Sequence, residues 1–100
     1  MGVMWVGWIE FDILLGDVHS LKEKRHVVRP LIAELRRHTE GSVAETGLQD
    51  LHRRTAIAVA VVSGDPAHVR HVLDRAEGIV LEHPEITLLS ARRRLHSSDD

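Results

Sequence analysis

A chain of 100 residues that is 43% hydrophobic can build a single domain-sized core without a metal or a disulfide to hold it. It has no cysteine, which excludes disulfides, thiolate metal sites and thiol nucleophiles, and its formal net charge of −2 gives no global attraction to nucleic acid. No apolar run approaches the ~20 residues of a membrane span, and Glu10 and Asp12 interrupt the N-terminal apolar segment, so a cytoplasmic protein with no membrane partner is expected.

The alternation through Ile9, Glu10, Phe11, Asp12 and Ile13 predicts a strand over Val3 to Leu14. Its core face carries Trp5, Gly7, Ile9, Phe11 and Ile13, because the opposite face would bury two carboxylates. Ser20-Leu21-Lys22-Glu23 is a capping box that opens a helix to about Thr39, with Gly41 as the stop. Leu21, Val28, Leu31, Ile32 and Leu35 form its apolar stripe, and Pro30 predicts a local kink. Ser42 to Glu45 reads as a short strand followed by an irregular connection, and Arg54 to Ser63 as a longer strand. Asp65-Pro66 starts a second helix to about His83, burying Val69, Val72, Leu73, Ala76 and Ile79 or Val80. Ile86 to Leu95 is the last strand.

The order strand, helix, strand, strand, helix, strand is the split βαβ pattern of an α+β, ferredoxin-like sandwich: an antiparallel sheet with two helices on one face. The first and third strands are central, the second and fourth are edges, and Arg92, Arg93 and Arg94 protect the fourth from strand addition. Residues 1–95 form the expected single domain, and 96–100 a polar, disordered tail.

Three stretches carry a resemblance to a known family: Ser20-Leu21-Lys22-Glu23-Lys24-Arg25, Ser42-Val43-Ala44-Glu45 with Gln49-Asp50-Leu51, and Val59-Ala60-Val61-Val62-Ser63. Together they resemble the YlxP-like family, a bacterial domain of unknown function, over nearly the whole chain. The resemblance implies a ferredoxin-like fold. It also implies an RNA or ribosome setting, because genes of that family stand beside translation-initiation and ribosome-maturation genes. It brings no catalytic residues. His52 and Arg53 depart from the tryptophan and glutamine common there.

Two surfaces then stand out. At ~100° per residue, Lys22, Arg25, His26, Arg29, Arg36 and Arg37 fall in a sector of about 120° on the first helix. Such a stripe tracks phosphates, of RNA or ribosomal components, or meets an acidic partner; the same pattern also suits a merely solvated face. Arg25, bordering the apolar stripe, has Glu45 or Asp50 as a structural partner. On the sheet, Trp8 beside Ala56, Ala58 and Ala60 is a poor platform for stacking RNA bases, and suggests packing against a second subunit or partner, unless Trp8 simply lies over the alanines.

The remaining chemistry is sparse. Acylphosphatases, which share the fold, bind phosphate between the first strand and first helix, but Gly16-Asp17-Val18-His19-Ser20 lacks a glycine-rich cradle and places Asp17 there. Of eight histidines, His68 and His71 are one turn apart, only half of a metal site. No cofactor, metal or small-molecule ligand is implied. The expectation is a non-enzymatic binding module, with a structural or regulatory homodimer as the alternative and a phosphate-directed enzyme third.

Overall fold

The computed structural model describes residues 2–100, which form β1 (Trp5–Leu15), α1 (Leu21–His38), β2 (Ser42–Gly47), β3 (Arg54–Ser63), α2 (Pro66–Glu82) and β4 (Ile86–Ser97). The strands make one antiparallel sheet in the order β2-β3-β1-β4, so β1 and β3 are central as their patterns predict. Each βαβ half is a crossover, which puts both helices on one side of the sheet. α1 packs over β2 and β3, and α2 packs over β1, β3 and β4. This is the ferredoxin-like arrangement. No described helix is long and apolar enough to cross a membrane.

The core lies between the helices and the inner sheet face. Ile9, Phe11, Ile13 and Leu15 of β1 alternate into it, as do Ile57, Val59 and Val61 of β3, and Leu31, Leu35, Val69, Leu73 and Val80 close it from above. Gly7 faces Val69 and Leu73 of α2 at close range. A β-carbon at that position would collide with the Val69 side chain, so the inward position stays empty to admit the helix.

Both helix starts form as their sequences predict. Ser20 Oγ accepts from the Glu23 amide at 3.1 Å, and Asp65 Oδ1 accepts from the Ala67 amide at 2.9 Å. α1 runs through Pro30 without a break in the helix.

Four expectations are corrected. Glu23 reaches past the cap to the His19 amide, at 2.8 Å, rather than to Ser20 itself. Gly41 is not a left-handed helix stop, since no described glycine has a positive φ. Thr39 ends the helix in extended conformation, its hydroxyl donating to the Leu35 carbonyl at 2.6 Å. Gly41 instead permits close approach to β3, where an added β-carbon would stand 2.9 Å from the Ala60 carbonyl oxygen. Leu21 lies 37% exposed, outside the buried stripe, while Lys24 is buried within it. Finally, the expected tail begins inside β4, which continues through Ser97. His96 and Ser97 pair with Val6 and Trp5 of β1, and the Ser98 amide donates to the Met4 carbonyl at 2.7 Å just beyond.

Candidate functional site

The basic residues of α1 do come together on one exposed face. Lys22, Arg25, His26, Arg29, Arg36 and Arg37 are all exposed, on the side of the helix turned away from Val28, Leu31 and Leu35. At ~1.5 Å rise per residue the stripe from Lys22 to Arg37 is roughly 22 Å long. Among the described residues none of its five lysines and arginines stands within 4.0 Å of a carboxylate. Arg36 differs from the rest, because its guanidinium donates to the Val43 carbonyl at 2.9 Å and so caps the edge of β2. Arg25 makes no ion pair with Glu45 or Asp50. It lines a cleft of about 440 Å³ with Arg29, Gln49 and Asp50, over an apolar floor that includes Val28 and Ile32.

The partner of Glu45 is Lys24. Only 3% exposed, Lys24 sends its ammonium to Leu48, Gln49 and Leu51 carbonyls at 2.8, 3.2 and 2.9 Å, and to Glu45 Oε2 at 3.2 Å. The same Glu45 oxygen accepts from the buried Thr55 hydroxyl at 2.6 Å. A buried ammonium needs such partners, because without them its desolvation would be prohibitive. Its effect is to hold the β2–β3 connection against α1 while Leu48 adopts the left-handed φ of 60°. The signal for this cluster was in the sequence. At 100° per residue Lys24 falls between Leu31 and Leu35, and Glu45 shares the inward face of β2 with the buried Val43.

The helix-free side of the sheet also assembles as expected. Trp8 lies opposite Ala60, Glu10 opposite Ala58 and Asp12 opposite Ala56, and facing partners in an antiparallel pair share one side. The two carboxylates are satisfied within the chain. Asp12 takes the Arg54 guanidinium through both oxygens, at 2.7 and 2.6 Å. Glu10 accepts from Thr46 and from Arg92, both at 2.7 Å. The hydrogen bonds from Thr46 and then Arg92 hold the Glu10 carboxyl below the usual glutamate range. Arg92 also lies over Trp8, 5.9 Å from the ring centroid. The arginine run alternates sides. Arg93 points to the helices and bridges Asp74 and Glu77 of α2 at 2.8 and 2.9 Å. Burial alone works against its charge, and the two carboxylates more than restore it.

The β1–α1 loop is closed to an anion by its own groups, since the Glu23 carboxylate already takes the His19 amide and Asp17 pairs with His19 at 2.6 Å. His68 pairs with Glu40 at 2.8 Å. Among the described residues no group of three or more metal-ligating side chains forms.

A family model described as "Protein of unknown function (DUF503)" matches residues 6–93. The uncharacterized protein YlxP of Bacillus subtilis (strain 168) is 31% identical over 81 residues, which is 81% of this chain and 88% of that protein. Among solved structures, LarC2, the C-terminal domain of a cyclometallase in synthesis of the NPN cofactor of lactate racemase, superposes with a TM-score of 0.56 at 13% identity. That match covers 95% of this chain but 56% of the LarC2 chain, and it speaks to the fold alone.

Proposed function

The chain belongs to the DUF503 family, and on the exposed face of its first helix we propose that it is a binding module engaging RNA, within the ribosome or translation setting that the family resemblance implies. One observation carries the reading: the cations on the exposed face of α1 are left without a carboxylate partner among the described residues, while those of the sheet and the buried Lys24 are largely consumed. Arg54, Arg92 and Arg93 each hold a carboxylate, and Lys24 is buried on Glu45. Lys22, Arg25, Arg29 and Arg37 reach solvent with no carboxylate within ion-pair distance among the described residues. Unpaired lysine and arginine along a stripe roughly 22 Å long suits a run of phosphates, whose condensed counterions are released on contact. The module is non-enzymatic on this reading.

The test is the double reversal Arg29→Glu with Arg37→Glu. Arg36 is the worse probe, because its guanidinium caps β2 and its loss would confuse binding with edge stability. The wild type should bind RNA with affinity that falls steeply as salt rises, and the reversal should weaken binding and flatten the salt slope by roughly two ions. Thermal stability should move by no more than about 0.5 kcal/mol equivalent, since both positions are exposed. A double reversal that retains RNA with an unchanged salt slope would refute the reading, and capture of an acidic protein instead would replace it.

A further inference from the structure

The helix-free face of the sheet has a composition that water does not explain. An antiparallel sheet with one solvated face ordinarily turns polar residues outward. Here the outward positions of β3 after Arg54 are Ala56, Ala58, Ala60 and Val62, with Val62 60% exposed, and β1 adds Val6, Trp8 and Leu14. β2 continues the small-residue surface, with Ser42 opposite Ala60 and Ala44 opposite Ala58. The result is a surface of small residues beside one indole.

The charges on this face are arranged so that covering it strands none of its acids. Asp12 is held by Arg54 through both oxygens, and Glu10 by Arg92 and Thr46. A carboxylate already paired and hydrogen-bonded can lose water without being left an uncompensated charge. With two of its three arginines held by carboxylates, the face is a poorer collector of phosphates than α1 on the far side. Arg94, opposite Trp8 on the edge strand, is the outward β4 arginine with no carboxylate partner among the described residues, and its place at the rim lets it stay hydrated.

From these features we propose that this face is a homodimer interface, covered by a second copy of the same sheet. A two-fold axis near Glu10 and Ala58 would set the Trp8 of each copy over the alanine floor of the other, the relation an isologous contact requires. The area is adequate. Four strands ~4.8 Å apart and about nine residues long at ~3.3 Å each present ~570 Å² per copy. The total of ~1,100 Å² is enough for a specific, modest-affinity pair. The dimer rests on observations separate from those of the RNA reading. Because α1 lies on the opposite side of its sheet, both basic stripes remain exposed, facing away from each other. Two such stripes in one particle give bivalent attachment to a long polyanion.

Sedimentation equilibrium of the full chain, from about 1 to 200 µM, decides the matter. The wild type should show a reversible monomer–dimer equilibrium. Trp8→Glu and Ala60→Glu should each raise the dissociation constant at least about tenfold, by setting an unpaired charge into an apolar contact. Their circular dichroism should match the wild type, and the Arg29→Glu, Arg37→Glu variant should dimerise normally. If Trp8→Glu does not fold, Ala60→Glu decides alone, because Ala60 is exposed in the monomer. A wild type that is monomeric throughout would overturn the proposal. So would a dimer that survives the folded Ala60→Glu variant, which would place the contact at a sheet edge. Loss of single-stranded RNA binding by a monomeric protein in these sheet variants would overturn it too, by assigning the face to another occupant.

Discussion

Replacing Lys24 with methionine keeps most of the side-chain volume and removes the charge from the centre of the cluster under the β2–β3 connection. Four acceptors lose their donor: the Leu48, Gln49 and Leu51 carbonyls, and Glu45. At about 1.5–3 kcal/mol for each hydrogen bond to a charged group the sum would reach ~6–12 kcal/mol, but that overstates the cost. Leu48, Gln49 and Leu51 are exposed residues, so their carbonyls rehydrate once the loop lifts, and Glu45 keeps Thr55 and some contact with water. The cost is thereby capped by undocking of the loop, and should fall at ~2–4 kcal/mol, the lower part of the range for breaking a buried pair. For a domain this size that is roughly 10–25 °C in Tm. Urea denaturation measures the loss, and amide exchange across residues 48–53 locates it. Arg should not rescue, because a planar fork cannot serve acceptors that converge on one point. Glu45→Gln added to Lys24→Met should cost less than the sum of the two, as the neutral amide no longer needs the ammonium. If Lys24→Met stays within about 0.5 kcal/mol of wild type, or lowers stability without faster exchange in the loop, the cluster does not hold that connection in place.

Two further outcomes follow from the same structure. The Glu10 carboxyl titrates below its ordinary range, so it contributes stability that is present above the unfolded-state value and lost as pH falls through the folded-state value. Glu10→Gln should therefore be less stable than wild type at neutral pH, by under about 1 kcal/mol for so exposed a partner as Arg92. The gap should begin to narrow near the ordinary glutamate value of about 4.3 and close as pH falls through the lowered folded-state value, as pH-dependent thermal melts would show, and a gap that is constant with pH would contradict the assignment. Gly7→Ala should destabilise by ~1–3 kcal/mol, since the new methyl meets Val69 on a packed face, and equal denaturation midpoints would mean that α2 shifts freely.

The fold was legible because its signals are local. A period of two in β1 and β3, a serine cap, an Asp-Pro start and two apolar helical stripes each survive into the structure, and the chirality of βαβ crossovers does the rest. What escaped was decided by register and by contacts between distant residues. Thr39 and Gly41 exchanged roles at the end of α1, because tertiary approach to β3 set the need for a glycine there and the threonine hydroxyl satisfied the helix carbonyl. His96 and Ser97 joined β4 because Val6 and Trp5 of β1 offer them partners across the sheet, which composition cannot reveal. The sheet-face residues were all found together, since alternation alone sorts them. For Lys24 the angle was available, but a lysine on an apolar stripe looks like an exposed residue until its partners, 21 to 27 residues away in the sequence, are in place.

The sorting of charge ties these surfaces into one design. Opposite charges facing the core or the open sheet find each other within the chain: Lys24 with Glu45, Arg54 with Asp12, Arg92 with Glu10, and Arg93 with Asp74 and Glu77. Each pair makes a surface that can be covered or packed without stranding a charge. The exposed α1 cations form no such pair among the described residues, since their sector turns away from Val28, Leu31 and Leu35; Arg25 and Arg29 border a cleft with Glu45 and Asp50 without bonding either. A chain that is slightly acidic overall thus gathers five exposed cations without an ion pair on α1, against Arg70 and Arg75 on α2. Glu45 and Asp50 border one end of this stripe, and its attraction to a polyanion operates locally, within the ~8–10 Å over which physiological salt leaves it unscreened. If α1 captures a polyanion as proposed, the capture should accordingly act at short range and weaken as salt rises.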